Sequence, residues 1–259
     1  MGVMELFDSH AHYDDKRFAE DYQEVILNAF NSGVKRIINA GSDIDTSKRS
    51  IELAEKFNFI YAAAGVHPHE AEKLNDASFN ELKKLCSHKK VVAIGEIGLD
   101  YYYDNSPRDV QRYWFEKQIE LGKQLDLPLI IHNRDSHEDM MNIIRSHSPY
   151  AKAGVLHCFT GSWEMAKELI NLGFYISFGG PITFKNANKA IEIIKKIPEE
   201  RILIETDCPY LTPEPFRGRR NDSSYVRLVA EKIAEIRGFS LDEAANITSR
   251  NTMRLFGIE

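Results

Sequence analysis

Val91-Val-Ala-Ile-Gly-Glu96, the segment Pro107–Leu125 and Pro128-Leu-Ile-Ile-His132 read in that order as strand, helix and strand. The two outer runs are short and apolar, as in strands covered on both faces. Between them Val110, Trp114, Leu121 and Leu125 fall on one face of a 3.6-residue period. The same alternation recurs along the chain. Strands are expected at Glu5–Asp8, Arg36–Ala40, Phe59–Val66, Val91–Glu96, Pro128–His132, Gly154–His157, Phe174–Phe178 and Arg201–Glu205. Glu5 and Arg201 stand 196 residues apart, seven steps of about 28, close to the ~30 residues of one βαβ unit. After the last strand, Val226, Val229, Ala230, Ile233 and Ile236 form a helical face ending at Gly238, and Ser240-Leu-Asp-Glu243 is a capping box. No linker or low-complexity tract divides residues 1–259. The expected fold class is therefore α/β, one (β/α)8 TIM barrel with a short C-terminal helical extension. A doubly wound open sheet is the alternative, but the first turn, Asp8-Ser-His-Ala-His12, has no glycines to cradle a phosphate.

Composition narrows the partners. The chain has 259 residues, 33 basic and 39 acidic side chains and a formal charge of −6. Its 43% hydrophobic content is too high for intrinsic disorder. A protein that grips nucleic acid by bulk electrostatics is usually basic; this one is acidic, so any such contact has to rest on local positive charge. The longest apolar runs, such as Phe59–Val66, fall far short of the ~18 residues a membrane span needs. The N-terminus has no basic region ahead of an apolar stretch, and Leu6 spoils a myristoylation reading of Gly2. Cys86, Cys158 and Cys208 are odd in number and widely spaced, which fits free thiols and a cytoplasmic location. No membrane partner is expected, and a monomer is.

In a barrel the chemistry sits at the C-terminal ends of the strands. Those ends present His10 and His12 after the first strand, Glu96 closing the fourth, His132 the fifth, His157 the sixth, and Asp207 just past the eighth. His10-Ala-His12 has a period of two, so on extended chain both imidazoles project from one side. Six such ligands converging on one rim point to a metal site. His67 and His69 follow the third strand at the same rim, and His67 suits substrate contact or proton transfer. His88 and His147 fall in helix-to-strand connections on the opposite face and read as surface, while Cys158 and Cys208 read as small buried hydrophobes.

The blocks Phe7-Asp-Ser-His-Ala-His12, Gly65-Val-His-Pro-His69, Ile94-Gly-Glu-Ile-Gly-Leu-Asp-Tyr101, Ile131-His-Asn-Arg-Asp135, His157-Cys-Phe-Thr-Gly161, Glu205-Thr-Asp-Cys-Pro-Tyr-Leu211 and Phe216-Arg-Gly-Arg-Arg-Asn221 resemble the TatD family of metal-dependent deoxyribonucleases. The resemblance runs nearly end to end. It implies a TIM barrel of the amidohydrolase superfamily, two divalent cations, and hydrolysis of DNA phosphodiesters, commonly from the 3′ end. Carried over by position, His10, His12 and Asp207 with Glu96 hold one cation, and Glu96, His132 and His157 the other, with Glu96 bridging.

Two such ions can activate water and stabilise an in-line displacement at phosphorus. The expected catalytic residues are Asp207, taking the proton of the water, Glu96 and His67. Four imidazoles favour zinc, manganese or iron, and the oxygen ligands tolerate magnesium; the resemblance suggests magnesium or manganese. Arg217, Arg219 and Arg220, in the loop after the eighth strand, are the expected phosphate contacts, since guanidinium forks match phosphate oxygens. Tyr101, Tyr102, Tyr103 and Phe184 can either stack bases or pack. The expected partner is DNA, as single strands or 3′ ends. The alternatives are an amide or ester hydrolase on the same centre and a non-catalytic nucleic-acid-associated protein.

Overall fold

A computed structural model describes residues 5–258; the readings of Gly2 and of the extreme N-terminus lie outside the described residues. Strands β1 (Leu6–Ala11), β2 (Val34–Ala40), β3 (Ile60–Ala64), β4 (Val91–Asp100), β5 (Leu129–Arg134), β6 (Gly154–Leu156), β7 (Tyr175–Phe178) and β8 (Ile202–Ile204) alternate with helices. The helices are α1 (Tyr22–Asn31), α2 (Ile44–Lys56), α3 (Asp76–Cys86), α4 (Arg108–Leu125), α5 (His137–Ser146), α6 (Trp163–Asn171), α7 (Asn188–Lys196) and α8 (Val226–Arg237), with α9 (Leu241–Phe256) as the C-terminal extension. The sheet order is β1-β2-β3-β4-β5-β6-β7-β8, and β1–β2, β3–β4, β4–β5, β5–β6 and β7–β8 pair in parallel. This is the (β/α)8 barrel that the alternation predicts.

Helix starts are set by local chemistry. The Ser240–Glu243 capping box opens α9 as expected, and Gly238 caps α8 at φ 71°. Two further boxes open α2 (Asp43 with Thr46) and α3 (Asn75 with Ser78). Thr or Ser replaces the usual Glu at the third position, so neither box has the usual Ser/Thr-x-x-Glu pattern.

Contacts group the chain into two units: the chain up to Asn39 with Cys158–Ile170 and everything from Tyr175 on, and Ala40–His157 with Asn171–Phe174. Within the first, β1 is buried along its whole length, and Val226, Val229, Ala230 and Ile233 of α8 are buried as the periodicity requires. Within the second, α4 buries Trp114, Phe115, Ile119 and Leu121, and with them Gln111 and Gln118. These amides explain two polar positions on an apolar face. Gln118 accepts from the Val66 N–H at 2.7 Å and donates to the Val66 carbonyl at 3.1 Å, while Gln111 accepts from the Asp100 N–H at 2.9 Å. Each satisfies backbone groups where β3 and β4 run out of neighbours.

Candidate metal centre

Three candidate ligands meet in the first unit. Backbone hydrogen bonds from Asp207 N to His10 O (2.9 Å) and from His12 N to Cys208 O (2.8 Å) lay the chain after β8 against the end of β1. Asp8, fully buried, fixes that junction from beneath: its carboxylate accepts from Thr206 N (2.9 Å), Thr206 Oγ1 (2.6 Å) and Ser223 Oγ (2.6 Å). Burial, partly offset by those donors, pushes the Asp8 pKa up to about 7. Asp207 sits at φ 56°, a left-handed conformation that Asp tolerates better than most residues, and this turns its side chain toward the two imidazoles. His10 Nε2 and His12 Nε2 are 2.9 Å apart, and Asp207 Oδ1 lies 3.7 Å from the first and 3.3 Å from the second. Donor atoms held about 2.0–2.1 Å from a tetrahedral ion stand roughly 3.3–3.4 Å apart. The three atoms thus have the spacing and chemistry of ligands to one small divalent cation.

A second group forms in the other unit. Glu96 Oε1 lies 2.8 Å from His157 Nε2, 3.0 Å from His132 Nδ1 and 3.5 Å from His67 Nε2. His132 Nδ1 and His157 Nε2 are 3.2 Å apart. The spacing again fits a cation held by Glu96, His132 and His157. The other nitrogen of His132, Nε2, is 3.0 Å from Asp100 Oδ2, which also meets His69 Nε2 at 2.9 Å. Asp100 therefore holds a proton on Nε2 and leaves the Nδ1 lone pair facing the ligand group, the usual work of a carboxylate behind a metal-binding histidine. Burial would lower the His132 pKa, but the two carboxylates that clamp it outweigh burial and raise it. Burial opposes ionisation of Asp100, yet hydrogen bonds from His132, His69 and the Tyr103 N–H hold its pKa well below the usual carboxylate range.

Glu96, Gly98 and Asp100 alternate along β4 and so face one side. Gly98 pairs with His132 and has φ 141°; a Cβ there would collide with the His132 carbonyl oxygen. Only glycine lets β4 approach closely enough for both flanking carboxylates to reach one imidazole.

A family model described as "TatD related DNase" matches residues 7–257. The chain belongs to the TatD family. It is 50% identical over 253 residues to the uncharacterized metal-dependent hydrolase YabD of Bacillus subtilis, covering 98% of this chain and 99% of that protein. It is 37% identical over 259 residues to the uncharacterized metal-dependent hydrolase YcfH of Escherichia coli K12, covering 99% and 97%. The crystal structure of YJJV, a TatD homolog from the same bacterium, superposes with a TM-score of 0.94 at 33% identity over the whole of both chains. The chain is a metal-dependent hydrolase of the TatD family, and the ligand chemistry of both groups agrees with that.

The remaining expected residues of this TatD protein divide sharply. His67 caps the 3-10 turn Pro68–Lys73, and its Nδ1 accepts from the His69 N–H at 3.1 Å. Burial lowers its pKa well below the ordinary value. A neutral imidazole with Nδ1 accepting carries its proton on Nε2, so His67 faces Glu96 as a donor. Arg217, Arg219 and Arg220 are exposed on the loop after β8. Arg220 forms a forked ion pair with Asp21 at 2.6 and 2.9 Å and also reaches the Arg17 carbonyl. Arg217 lies over the Phe184 ring and Arg219 over Phe216, and among the described residues neither has an ion-pair partner. Phe184 lines a cavity of about 240 Å³ with Phe159, Ile182 and Cys158. Cys208 is buried as expected, but Cys158 is half-exposed. Among the described residues no helix is long and apolar enough to cross a membrane.

Sequence reasoning passed over Asp8, Asp100 and Glu205. Glu205 is fully buried and accepts from the Cys158 N–H at 2.6 Å. Asp100 had a signal: continued past Glu96, the alternation lands on it.

Proposed function

We propose that the protein hydrolyses phosphodiester bonds of DNA, with both ligand groups acting as one centre. Strand C-terminal ends share one rim in a (β/α)8 barrel, which supports a common site for the ends of β1, β4, β5, β6 and β8. His10, His12 and Asp207 would hold one divalent ion and His132 and His157 another, with Glu96 common to both; magnesium, manganese and zinc all suit parts of this donor set. Such ions, when bound, acidify water and draw charge from phosphoryl oxygens.

The chain's own groups complete the chemistry. Water attacks phosphorus, and Asp207 accepts its proton as the new P–O bond forms. The P–O3′ bond breaks on the opposite face, the leaving O3′ takes a proton from solvent, and Asp207 returns its own proton to solvent. The His67 Nε2–H donates a hydrogen bond to the phosphoryl group, and Asp100 keeps His132 oriented. The observation that favours a phosphodiester is the pair Arg217 and Arg219: exposed, without an ion-pair partner among the described residues, and only ten and twelve positions beyond Asp207. Their forks fit phosphates flanking the bond to be cut.

The test is incubation of metal-loaded protein with single- and double-stranded DNA labelled at either end, beside a panel of amides and carboxylic esters. Metal-dependent shortening of DNA, faster from 3′ ends, is expected. Turnover of an amide or ester with DNA left intact would overturn the proposal and assign the site to amidohydrolase chemistry.

A further inference from the structure

Between β4 and α4 three tyrosines follow Asp100, and they behave differently. Tyr101 is half-buried, with its hydroxyl 2.6 Å from Asp139 and 3.1 Å from Arg112. Tyr102 and Tyr103 are 58% and 55% exposed, and among the described residues neither hydroxyl has a hydrogen-bond partner. Their rings meet edge to face at 4.9 Å and 87°. The Arg134 guanidinium, from the C-terminal end of β5, lies 3.9 Å from the Tyr102 ring centre and 4.7 Å from that of Tyr103. Among the described residues it has no ion-pair partner, unlike Arg108, Arg112, Arg17 and Arg220.

The loop that bears these rings is held firmly. Tyr102 N and Tyr103 N donate to Asp100 Oδ1 at 3.0 and 2.9 Å, and Tyr101 N donates to the Arg134 carbonyl at 2.8 Å. The other oxygen of Asp100 holds His132 and His69, and the His69 ring meets the Tyr103 ring edge-on at 5.4 Å. One carboxylate thus fixes two exposed aromatic rings relative to a candidate metal ligand. Packing does not explain such rigidity, because the rings are largely in solvent. Rigid aromatic surface beside an unpaired guanidinium is what an unpaired nucleobase with its phosphate requires: a π-face to stack on and a cation for the charge.

We infer that Tyr102, Tyr103 and Arg134 form a stacking platform for unpaired bases next to the phosphate being cut. The platform therefore selects single strands and frayed ends over closed duplex. This rests on the phosphodiesterase reading above. Stacking is indifferent to base identity, so the platform confers strand preference without sequence preference.

The test uses two single-stranded oligonucleotides, identical except that the terminal nucleotides of one carry tetrahydrofuran in place of base and sugar. Metal-loaded wild-type protein is expected to show a KM roughly tenfold lower for the base-bearing strand. The double variant Tyr102→Ala/Tyr103→Ala should lose that ratio, and Tyr102→Phe/Tyr103→Phe should keep it, since stacking needs the ring and not the hydroxyl. An unchanged ratio in the alanine variant overturns the platform. Equilibrium binding of the same strands, read by fluorescence anisotropy, separates this from the parent reading. Base preference in binding without cleavage overturns only the phosphodiesterase, and equal affinity for both strands overturns the platform.

Discussion

Replacing Asp100 by Asn isolates the role of the carboxylate behind His132. The wild-type side chain accepts four hydrogen bonds at 2.9–3.0 Å: two ring nitrogens on Oδ2 and two loop amides on Oδ1. In Asp100→Asn the remaining oxygen can keep the amides of Tyr102 and Tyr103, so the loop stays in place. The new NH2 group, however, meets two ring N–H groups. Each imidazole escapes the clash by moving its proton to Nδ1, and for His132 that nitrogen lies 3.0 Å from Glu96 Oε1, a satisfied contact. Metal-free protein should therefore lose only about 1–2 kcal/mol, the difference between charge-assisted and neutral hydrogen bonds. Metal binding suffers more, because the Nδ1 lone pair is now occupied and the shift must be reversed against the amide. Loss of such an outer carboxylate costs about 10–100-fold in affinity, or roughly 1.4–2.8 kcal/mol at 1.4 per decade. Calorimetric titration of metal-free protein with zinc or manganese should show one of two equivalents weakened, since His10, His12 and Asp207 make no use of Asp100. Two equivalents with wild-type affinities would refute the role assigned to this carboxylate.

Asp207→Asn keeps one ligand oxygen but is a poor proton acceptor, so turnover should fall about 10²–10⁴-fold while metal content, by elemental analysis, falls far less; near-normal turnover at full loading removes Asp207 from proton transfer. Arg217→Ala/Arg219→Ala should raise KM for oligonucleotides and reduce the slope of log affinity against log salt by about 1 per lost phosphate contact, whereas Arg220→Ala, whose fork holds Asp21, should leave that slope alone. A salt slope moved by Arg220→Ala and not by the pair would reverse those assignments. The raised His132 pKa has a defined sign: in metal-free protein its stabilisation is full below the ordinary value of 6.5 and is lost as pH rises through the higher folded value. Because metal competes with that proton, affinity should tighten across the same window and binding should release protons. Calorimetry in buffers of different ionisation enthalpy measures the release, and a pH-independent affinity would contradict it.

How much of this was legible in the chain depends on whether a residue acts through its own strand or through a neighbour. The barrel needed only periodicity, because each strand is one apolar run, and the candidate ligands lie in the C-terminal half of a strand or just past it. Boundaries slipped where pairing, not composition, sets them. β4 extends to Asp100 because Gly98 lets Ile97 through Asp100 pair with Ile131 through Arg134, although glycine in a strand argues for its end. β1 likewise continues through His10, so that His10 lies within the strand and only His12 beyond it. The outer residues were hidden because their meaning lies in partners far away in sequence. Asp8 looks like any polar residue before His10 until Thr206 and Ser223 arrive, about two hundred positions later, to bond it. Arg220 looks equivalent to Arg217 and Arg219 until Asp21 takes its fork. The tyrosine triplet shows the same limit within three residues: identical side chains, one tied to Asp139 and two left facing solvent. Nothing in Tyr101-Tyr-Tyr103 tells them apart; the turn imposed by Asp100 does, by accepting the second and third amides and so aiming the last two rings outward. A carboxylate that bonds two loop amides with one oxygen and two imidazoles with the other couples the loop to His132, so a change in either should be felt at both.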